Sequence, residues 1–426
     1  MKAAFIVQRC GKEVVGGAEF YCFMMAQHLS KFMTIEVLTT CALDYTTWAD
    51  HYKPGIEEIG HFKIRRFSVP EPRQPKVFEH FCIQLDNTFR KSRGLFEKTP
   101  ADEQERWMKE QGPISPDLMN FVKTHKDDYD VFVFFGYLYA TTYLILPEVR
   151  EKAVLLPFAH DEWPIYLTIW NDWFLKPAGF IFSTHEEKMF LQKRFPRIES
   201  KKLDGPIVGI GVTAPKNVDP ERFRKKYRIK QPFMLYVGRI DILKGCSDLF
   251  HDFAKLKRSY RILPAKLFNF FRGNKAKVSW VSWKSWKNWK LIFVGKAAIT
   301  LMKHPDVVEL GALDEESKWD ALAAAELLVL PSAFESLSIV VLEAWMAKKP
   351  VLVNGNCSVL VGQCSRSGGG LWYRTFSDFV FSLEKLIDPE VRKRLGEKGF
   401  DYVTANYSWP MIERKFLQAL KPFERG

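Results

Sequence analysis

The sequence predicts an α/β protein built from two doubly wound, Rossmann-like domains, and three observations lead to this fold class. The chain has 426 residues, more than the roughly 250–300 that one hydrophobic core accommodates. Apolar runs of strand length alternate with longer helical patterns in both halves, which is typical of parallel sheets covered by helices. A stretch rich in glycine and proline, 204–223, separates the two halves and is predicted to be the linker.

Ten apolar runs are predicted to be the strands of the two sheets. They are rich in Val, Ile, Leu and Phe and lack a clean polar alternation, as expected of strands buried on both faces. The predicted domains are 1–203 and 224–399, followed by a helical segment at 400–426. The predicted strands are 3–7, 34–40, 130–135, 153–158 and 179–184 in the first domain, and 233–238, 291–295, 307–310, 327–332 and 350–354 in the second.

The composition indicates a globular, cytosolic protein. Hydrophobic residues make up 47% of the chain and aromatic residues 15%, which excludes a disordered chain. The seven cysteines form no C-x-x-C pair and no cluster with histidine, so we predict reduced thiols and neither disulfides nor a zinc site. The apolar run that follows the first lysine is short, which predicts a first strand and no signal peptide.

The longest uncharged run, 131–147, is predicted to be a strand, a turn and a short helix. Gly136 and Pro147 interrupt it, and it is shorter than the about 20 apolar residues that span a bilayer. The motif DYD at 128–130 has the spacing of metal-binding carboxylates. It precedes a strand at its amino end, where ligands of such sheets do not bind, so we predict a structural role for it.

The net charge of +13 is concentrated in one segment. Ten Lys/Arg residues and no acidic residue lie between Lys257 and Lys290, so the rest of the chain carries only +3 (13 − 10). A three-residue repeat in this segment places tryptophan beside serine and lysine, at Trp280, Trp283, Trp286 and Trp289. Three interpretations stay open: a mobile insertion at about 264–290, contact with an anionic membrane surface through 257–290, and, least favoured, binding of single-stranded nucleic acid.

Two glutamates, Glu335 and Glu343, stand in the otherwise apolar stretch FESLSIVVLEAW. A strand ends before this stretch and a helical composition follows, so Ser338 is predicted to be the N-cap and Glu335 to lie in the loop. The N–H groups of a helix N-terminus bind phosphate, and carboxylates beside it can accept hydrogen bonds from hydroxyls on either side. The alternative is a pair of glutamates with solvent-exposed carboxylates on an amphipathic helix.

A strand, a glycine and two cations follow one another in LYVGRIDILKG, 235–245. Arg239 and Lys244 can straddle a diphosphate at the carboxyl end of this strand and stabilise the charge that develops as it leaves. The alternative is a surface turn with a salt-bridged arginine. Because ligands of open α/β sheets bind at the carboxyl ends of the strands, the predicted site is the cleft between the two domains.

Two positions in the first domain also follow strands. Gly16 and Gly17 come after the first strand and precede a helix, so the backbone there can approach a ligand closely. His160 follows the strand at 153–158 and adjoins Asp161, so a functional histidine and a purely structural one stay open as equal alternatives. The stretch 360–373 is predicted to be a glycine-rich loop without an assigned role.

With these motifs in this order, the sequence resembles the retaining GT-B glycosyltransferases of family 4. The combination of E-x7-E with an upstream R-x4-K is specific, and the likeness extends over nearly the whole chain. Where the family commonly reads EGFG, this chain reads ESLS. The matching stretches are GGAE (16–19), AHD (159–161), STHEEKMFL (183–191), VGRIDILKG (237–245), ELGALD (309–314), PSAFESLSIVVLEAWMAKKPVLVN (331–354) and GGGLWY (368–373).

The resemblance implies a GT-B fold, with two Rossmann-like domains that face a central cleft. It makes 1–203 the acceptor-side domain and 224–399 the domain that binds a nucleotide sugar, and it implies that the helix in 400–426 crosses back to the first domain. The resemblance further implies that the matching residues contact the donor. Gly16 and Gly17 approach it through the backbone, and His160 lies beside its sugar near the anomeric carbon.

The same resemblance assigns the remaining donor contacts to the second domain. Arg239 and Lys244 hold the diphosphate. The other contacts are Glu335 with the sugar hydroxyls, the backbone N–H groups of Ser336, Leu337 and Ser338 nearby, Glu343 with the ribose, and Ala312 and Leu313 with the base.

The implied activity is the transfer of a sugar, with retention, from a nucleotide diphosphate sugar to a glycan or lipid-linked acceptor in cell-surface polysaccharide or glycoconjugate synthesis. The leaving phosphate helps to deprotonate the acceptor, and neither a metal nor another cofactor is required. The expected location is the cytoplasm, with peripheral binding to the inner face of the membrane. Two alternatives stay open: a phosphorylase- or epimerase-like enzyme of the same fold, and a non-enzymatic protein that binds anionic polymers through 257–290.

Overall fold

The computed structural model describes residues 1–14, 16–92, 96, 99–198, 204–262 and 286–424, with the backbone alone at 259–262. The chain divides into two compact units, Met1–Ile210 with Trp409–Gly426, and Gly211–Ser408. The passage from the first unit to the second falls within the predicted linker. Each unit contains one mostly parallel sheet that alternates with helices, which confirms the predicted class of two α/β, Rossmann-like domains.

A seven-stranded sheet forms the first unit. Its strands are β1 (Lys2–Ile6), β2 (Thr34–Thr40), β3 (Gly55–Ile59), β4 (Phe62–Phe67), β5 (Val131–Phe135), β6 (Ala153–Leu156) and β7 (Gly179–Phe180). They are arranged in the order β3-β4-β2-β1-β5-β6-β7. Neighbours are parallel except β3, which is antiparallel to β4. The central strands β5 and β6 are buried along their whole length, as their apolar sequences predict.

Local sequence explains where helices of the first unit begin. Ser115 accepts a hydrogen bond from the N–H of Leu118, and Pro116 occupies the first helical position, where its missing N–H costs nothing. Thr184 caps another helix by accepting from the N–H of Glu187. The helices are α1 (Gly17–Leu29), α2 (Pro75–Lys91), α3 (Ala101–Gln111), α4 (Pro116–His125), α5 (Ala140–Ile145), α6 (Trp170–Trp173) and α7 (His185–Arg194).

The second unit is built on a six-stranded parallel sheet. Its strands are β8 (Phe233–Val237), β9 (Lys290–Val294), β10 (Val307–Glu309), β11 (Leu327–Leu330), β12 (Val351–Asn354) and β13 (Gly370–Tyr373). The order β10-β9-β8-β11-β12-β13 is that of a doubly wound dinucleotide-binding sheet. The direction of winding reverses between β8 and β11, so the loops that follow these two strands meet at the switch point.

Helices of the second unit alternate with its strands. Asp314 and Thr375 cap two of them through their side chains. The helices are α8 (Pro220–Tyr227), α9 (Cys246–Ile262), α10 (Glu315–Ala324), α11 (Ile339–Met346), α12 (Ser358–Ser367), α13 (Phe376–Leu386) and α14 (Pro389–Asn406). A last helix, α15 (Trp409–Leu420), belongs to the first unit. There Trp409 stacks on the ring of His28, with centroids 3.4 Å apart.

The ten predicted strands are all present, with ends that differ by a few residues. Three strands were not predicted. The outer strand β3 is exposed and contains two adjacent glutamates, and basic residues interrupt the apolar ones of β4, so the hairpin contains no long apolar run. The stretch 360–373 is not a loop: α12 extends to Ser367, Gly368 caps it with a φ of 62° that suits glycine, and β13 begins at Gly370.

The run at 131–147 folds as predicted, into β5, a turn at Gly136 and α5. In the DYD motif, Asp130 accepts a hydrogen bond of 2.7 Å from the backbone N–H of Lys2, which agrees with the structural role predicted for it. All seven cysteines lie in the described part of the chain and are free thiols. Among the described helices, none has both the length and the apolar character of a membrane span.

Both ends of the basic, Trp-rich segment are part of the core of the second unit, which corrects the prediction of a contact surface over all of 257–290. Trp286 and Trp289 are 1% and 4% exposed. The ammonium of Lys257 is also buried, donates to the carbonyl of Trp289 at 2.6 Å and forms an ion pair of 3.2 Å with Asp306. These side chains cannot contact a membrane or nucleic acid. The rest of the predicted segment, 263–285, lies outside the described residues.

Candidate functional site

The turn after β8 is organised by one buried carboxylate, Asp241. Its Oδ2 forms an ion pair with Nε of Arg239, and its Oδ1 accepts a hydrogen bond of 2.7 Å from the backbone N–H of Lys244. The arginine side chain is 38% exposed. The turn therefore presents both predicted cations from one rigid segment. The alternative interpretation was a surface turn with a salt-bridged arginine. The salt bridge that it predicted is present, because Arg239 forms an ion pair with Asp241.

Two buried side chains hold the backbone at Arg239. The phenol of Tyr236 donates to the carbonyl oxygen of Arg239 at 2.7 Å, and Sγ of Cys246 lies 3.8 Å from the same oxygen. Burial raises the pKa of Tyr236 well above its ordinary value, so the phenol remains a donor. On the next strand, Gly295 has a φ of 141°, and a Cβ there would overlap the carbonyl of Gly238. The backbones at the carboxyl ends of β8 and β9 are thus in direct contact.

The loops after β8 and β11 are joined by an ion pair between Lys244 and Glu335. Nζ of Lys244 lies 2.8 Å from Oε1 of Glu335, and the two side chains are 32% and 13% exposed. Burial disfavours the ammonium, but the charge of Glu335 outweighs it, so the pKa of Lys244 is raised. Two predicted site residues that are far apart in the sequence therefore meet at the switch point of the sheet.

The segment Ser336, Leu337 and Ser338 leads from Glu335 to the start of α11. Ser338 is the N-cap residue, as predicted, and is 3% exposed, but its side chain makes no capping hydrogen bond. The first N–H groups of a helix have no intrahelical partner and carry the positive end of the helix dipole. An anion held by Lys244 beside this helix start would meet both kinds of positive charge.

Glu343 lies one helical turn inside α11 and is also ion-paired. Its Oε1 is 2.7 Å from Nζ of Lys318, a residue of α10, and the two side chains are 8% and 15% exposed. Burial raises the pKa of Glu343, and the ammonium of Lys318 opposes this shift. Neither Glu335 nor Glu343 has a solvent-exposed carboxylate, so the alternative of two surface glutamates on an amphipathic helix is wrong.

The predicted base-binding residues lie in the loop between β10 and α10. Ala312 is exposed and Leu313 is half-buried. The preceding Gly311 accepts a hydrogen bond of 2.8 Å from the N–H of Gly295 at the end of β9. Asp314 then caps α10 by accepting from the N–H of Ser317 at 2.7 Å. The loop is therefore anchored at both of its ends and follows the same edge of the sheet as the cations.

In the first unit, the paired glycines lie over a buried ion pair. The carboxylate of Glu19 accepts from Nε of Arg9 at 2.9 Å and from Nε2 of Gln8 at 2.9 Å. A Cβ on Gly16 would overlap this carboxylate, whereas one on Gly17 would meet no atom within 4 Å. Glu19 thus fixes the loop to the end of β1, and the backbone at Gly17 is open to approach by a ligand.

His160 is half-buried and is paired with an acid. Its Nε2 lies 2.9 Å from Oε1 of Glu162. The neighbouring Asp161 instead accepts a hydrogen bond of 2.6 Å from the hydroxyl of Tyr166. The carboxylate that orients the imidazole is therefore two residues away and not the adjacent one.

A second buried acid holds the loop that carries His160. Glu187 is 1% exposed, and its carboxylate accepts from the N–H of Ala159 at 2.8 Å and from the N–H of Ser183 at 2.7 Å. Burial raises the pKa of Glu187 to about 8, against the effect of these N–H groups. Because Ala159 directly precedes His160, Glu187 fixes the histidine relative to the start of α7.

The sequence of the second unit matches a known family. Residues 219–400 match the glycosyl transferases group 1 family. This stretch contains Arg239, Lys244, Glu335 and Glu343, together with the loop of Ala312 and Leu313. No curated protein sequence matches the chain.

Several solved structures resemble the whole chain. Sucrose-phosphate synthase from Thermosynechococcus elongatus is 15% identical with a TM-score of 0.67, over 99% of this chain and 98% of that one. WaaG, a glycosyltransferase involved in lipopolysaccharide biosynthesis, is 16% identical with a TM-score of 0.60, over 100% of both chains. Anabaena Alr3699/HepE in complex with UDP-glucose is 13% identical with a TM-score of 0.64, over 99% and 100%. At these identities the likeness confirms the GT-B fold.

Five residues that contact predicted site residues or their loops, within one unit or the other, were missed in the sequence: Tyr236, Asp241, Lys318, Glu162 and Glu187. Asp241 stands inside the R-x4-K stretch and could have been read as the acid that orders two cations. Glu187 completes the capping pattern T-x-x-E at the start of α7. The sequence gives no comparable signal for Lys318, because its partner is on another helix.

Glu187 leads to a prediction about stability. Its folded pKa of about 8 lies above the ordinary value of 4.5. The contribution of this group to stability is therefore fully present below pH 4.5 and is lost as the pH rises through about 8. Relative to Glu187→Gln, which does not titrate, the wild type should lose several degrees of melting temperature between pH 5.5 and 8.5, by an order-of-magnitude estimate. Thermal unfolding of both proteins across this range measures the difference.

The matched control for this experiment is Glu186→Gln, at the half-buried neighbouring position. It removes one carboxylate from the same helical turn, and its melting temperature should differ from that of the wild type by a constant amount across this pH range. A difference between wild type and Glu187→Gln that stays constant from pH 5.5 to 8.5 would show that Glu187 is ionised in the folded protein throughout.

Proposed function

We propose that the protein is a retaining glycosyltransferase of family 4 that transfers a sugar from a nucleotide diphosphate sugar to a glycan or lipid-linked acceptor. The observation that carries this proposal is the ion-paired group at the switch point of the second sheet, formed by Arg239, Asp241, Lys244 and Glu335. The match of residues 219–400 to group 1 glycosyl transferases supports it.

Two cations on one turn suit the two phosphate groups of a diphosphate. Arg239 and Lys244 both receive their position from Asp241, and each is already balanced by one carboxylate. A diphosphate that joins them exchanges water for two charge-assisted hydrogen bonds, and the start of α11 supplies further N–H donors. Asp241 and Glu335 keep the cations ordered before the donor binds, which lowers the entropy cost of binding.

The ion-paired carboxylates of Glu335 and Glu343 suit the uncharged hydroxyl groups of the sugar and of the ribose, which lie on either side of the diphosphate in such a donor. Lys244 contacts Oε1 of Glu335, and an ionised carboxylate can accept about four hydrogen bonds. Glu335 therefore retains the capacity to accept from hydroxyls of the donor sugar. Glu343, one turn further along α11, has the same capacity and is assigned to the ribose, with Ala312 and Leu313 beside the base.

Charge stabilisation is the main chemical contribution that we assign to this site. As the bond between the sugar and the diphosphate breaks, negative charge grows on the leaving oxygen, and Arg239 and Lys244 stabilise it. In the front-face route of a retaining transfer, a leaving phosphate oxygen accepts the proton of the acceptor hydroxyl. His160, oriented by Glu162, is assigned to the donor sugar, and Gly16 and Gly17 to the diphosphate. We assign no metal and no other cofactor to these steps.

The donor class has independent support. The HepE structure that resembles this chain contains UDP-glucose, which supports a nucleotide sugar as the donor here. We assign the acceptor to the glycans or lipid-linked glycans of cell-surface polysaccharide or glycoconjugate synthesis. The proposed location is the cytoplasm, with peripheral association at the inner face of the membrane.

A panel of UDP-, GDP- and ADP-sugars tests the donor class by differential scanning fluorimetry of the full chain. A ligand at about 100 times its Kd stabilises the folded state by about 2.7 kcal/mol. We therefore expect a rise in melting temperature of about 5 °C or more for at least one member of the panel. The same sugar without its nucleotide is the control. If no member of the panel raises the melting temperature at millimolar concentration, the proposed function is wrong.

A further inference from the structure

We infer that Lys318 is the positioning residue that makes the donor site selective for ribonucleotides over deoxyribonucleotides, by holding the carboxylate of Glu343. The inference rests on the proposed function, in which Glu343 contacts the ribose. It concerns a residue outside the motifs that carried the proposed function, on a different helix from Glu343.

Lys318 contacts two carboxylates that differ in exposure, and this difference indicates which of them needs the ammonium. Its Nζ lies 2.7 Å from Oε1 of Glu343 and 2.9 Å from Oε1 of Glu315. Glu343 is 8% exposed, whereas Glu315 is 69% exposed and can be solvated by water without a partner. The ammonium is therefore needed by Glu343 and not by Glu315. Removing it would leave a buried carboxylate without its cation, which is costly in a protein interior.

Electrostatics determine which form of Glu343 meets a ligand. Burial raises the pKa of Glu343, and Glu315 raises it further, while the ammonium of Lys318 is the opposing charge. The pKa of Lys318 is itself raised, since the attraction of Glu343 and Glu315 outweighs burial. The ion pair of 2.7 Å with Lys318 favours the ionised form of Glu343, and an ionised carboxylate can accept hydrogen bonds from both hydroxyls of a ribose.

The position of Lys318 also links recognition of the base to recognition of the ribose. α10 begins directly after the loop of Ala312 and Leu313, and Asp314 fixes its first turn through the N–H of Ser317. Lys318 directly follows Ser317 in the same helix. A nucleoside that contacts this loop with its base therefore has its ribose presented to a carboxylate held from the same helix.

Isothermal titration of the full chain with UDP, GDP, ADP and CDP tests the inference. The diphosphate that binds the wild type most tightly is then compared with its 2′-deoxy and 3′-deoxy forms. We expect each deoxy form to bind the wild type about tenfold more weakly. In Lys318→Met, the ribonucleotide should lose about tenfold in affinity while the deoxy forms lose little, so that the preference for ribose falls to near one. Lys318→Arg should restore part of the preference.

The matched control is Glu315→Gln, which changes the exposed partner of the same ammonium and should retain the wild-type preference. If Lys318→Met does not fold, Lys318→Met combined with Glu343→Gln removes the buried charge as well, and its preference should also be near one. A preference that persists in either variant overturns the inference. A wild type that binds a diphosphate without preferring ribose overturns it together with the assignment of Glu343 to the ribose, and leaves the nucleotide sugar as donor and the diphosphate site of Arg239 and Lys244 standing. A wild type that binds none of the four diphosphates contradicts both.

Discussion

We expect Lys244→Met to lower kcat/KM for sugar transfer by about a hundredfold. The change removes one charge-assisted hydrogen bond to the diphosphate, worth about 1.5–3 kcal/mol, and about 1.4 kcal/mol corresponds to a factor of ten. It also leaves Glu335, 13% exposed and 2.8 Å from the lost ammonium, as an uncompensated negative charge beside an anionic ligand. Both effects act in the same direction, so this substitution should be among the most damaging in the second unit.

The measurement is the rate of transfer from the nucleotide sugar that binds most tightly, with Lys225→Met as the control. Lys225 is an exposed lysine of α8 in the same unit, and its loss should leave the rate unchanged. Circular dichroism and the melting temperature establish that Lys244→Met is folded. A folded Lys244→Met enzyme with a rate within twofold of the wild type would show that the diphosphate does not bind at this position.

Glu335→Gln should lower kcat/KM by at least about tenfold, because the amide keeps the shape of the side chain but loses a charged acceptor. The loss has two origins: a weaker contact with the hydroxyls of the donor sugar, and the release of Lys244 from its ion pair. Since the two residues act as one pair, their effects should not add. The double variant of Lys244→Met and Glu335→Gln should be little worse than Lys244→Met alone.

A double-mutant cycle of these variants measures the coupling, and Glu316→Gln is the control for loss of a carboxylate in the same unit. Glu316 is 64% exposed and forms an ion pair with Arg222, which is 38% exposed, so its removal should leave transfer unaffected. Strict additivity of the two single variants would show that the ion pair of Lys244 and Glu335 does not persist in the complex with the donor.

The fold was predictable because buried parallel strands leave a strong trace in the sequence. Runs such as 34–40 and 327–332 contain little besides β-branched and other apolar residues, and these runs contain β2 and β11. β3 was missed because this exposed edge strand needs no apolar run, and β4 was missed because charged residues interrupt its apolar ones. β13 was missed because the glycines in front of it suggested a loop, although Gly370 is required by close packing against Val351.

The spacing of motifs predicted which residues belong to the candidate site, but it did not predict the contacts between them. Position after a strand identified Arg239, Lys244 and Glu335 as side chains at one edge of a sheet. It did not reveal that Lys244 and Glu335 are ion-paired, or that Glu343 is held by Lys318, because these contacts join residues 91 and 25 positions apart. Composition misled at Trp286 and Trp289, where residues typical of a membrane surface are buried in the core.

The central claim is that a nucleotide diphosphate sugar places its diphosphate between Arg239, Lys244 and the start of α11. The most direct test is a crystal structure of the full chain with the donor that raises the melting temperature most. We predict phosphate oxygens within hydrogen-bond distance, about 3 Å, of Nζ of Lys244 and of the guanidinium of Arg239. Density for the diphosphate at any other place on the second unit, with the ion pair of Lys244 and Glu335 left untouched, would contradict the account.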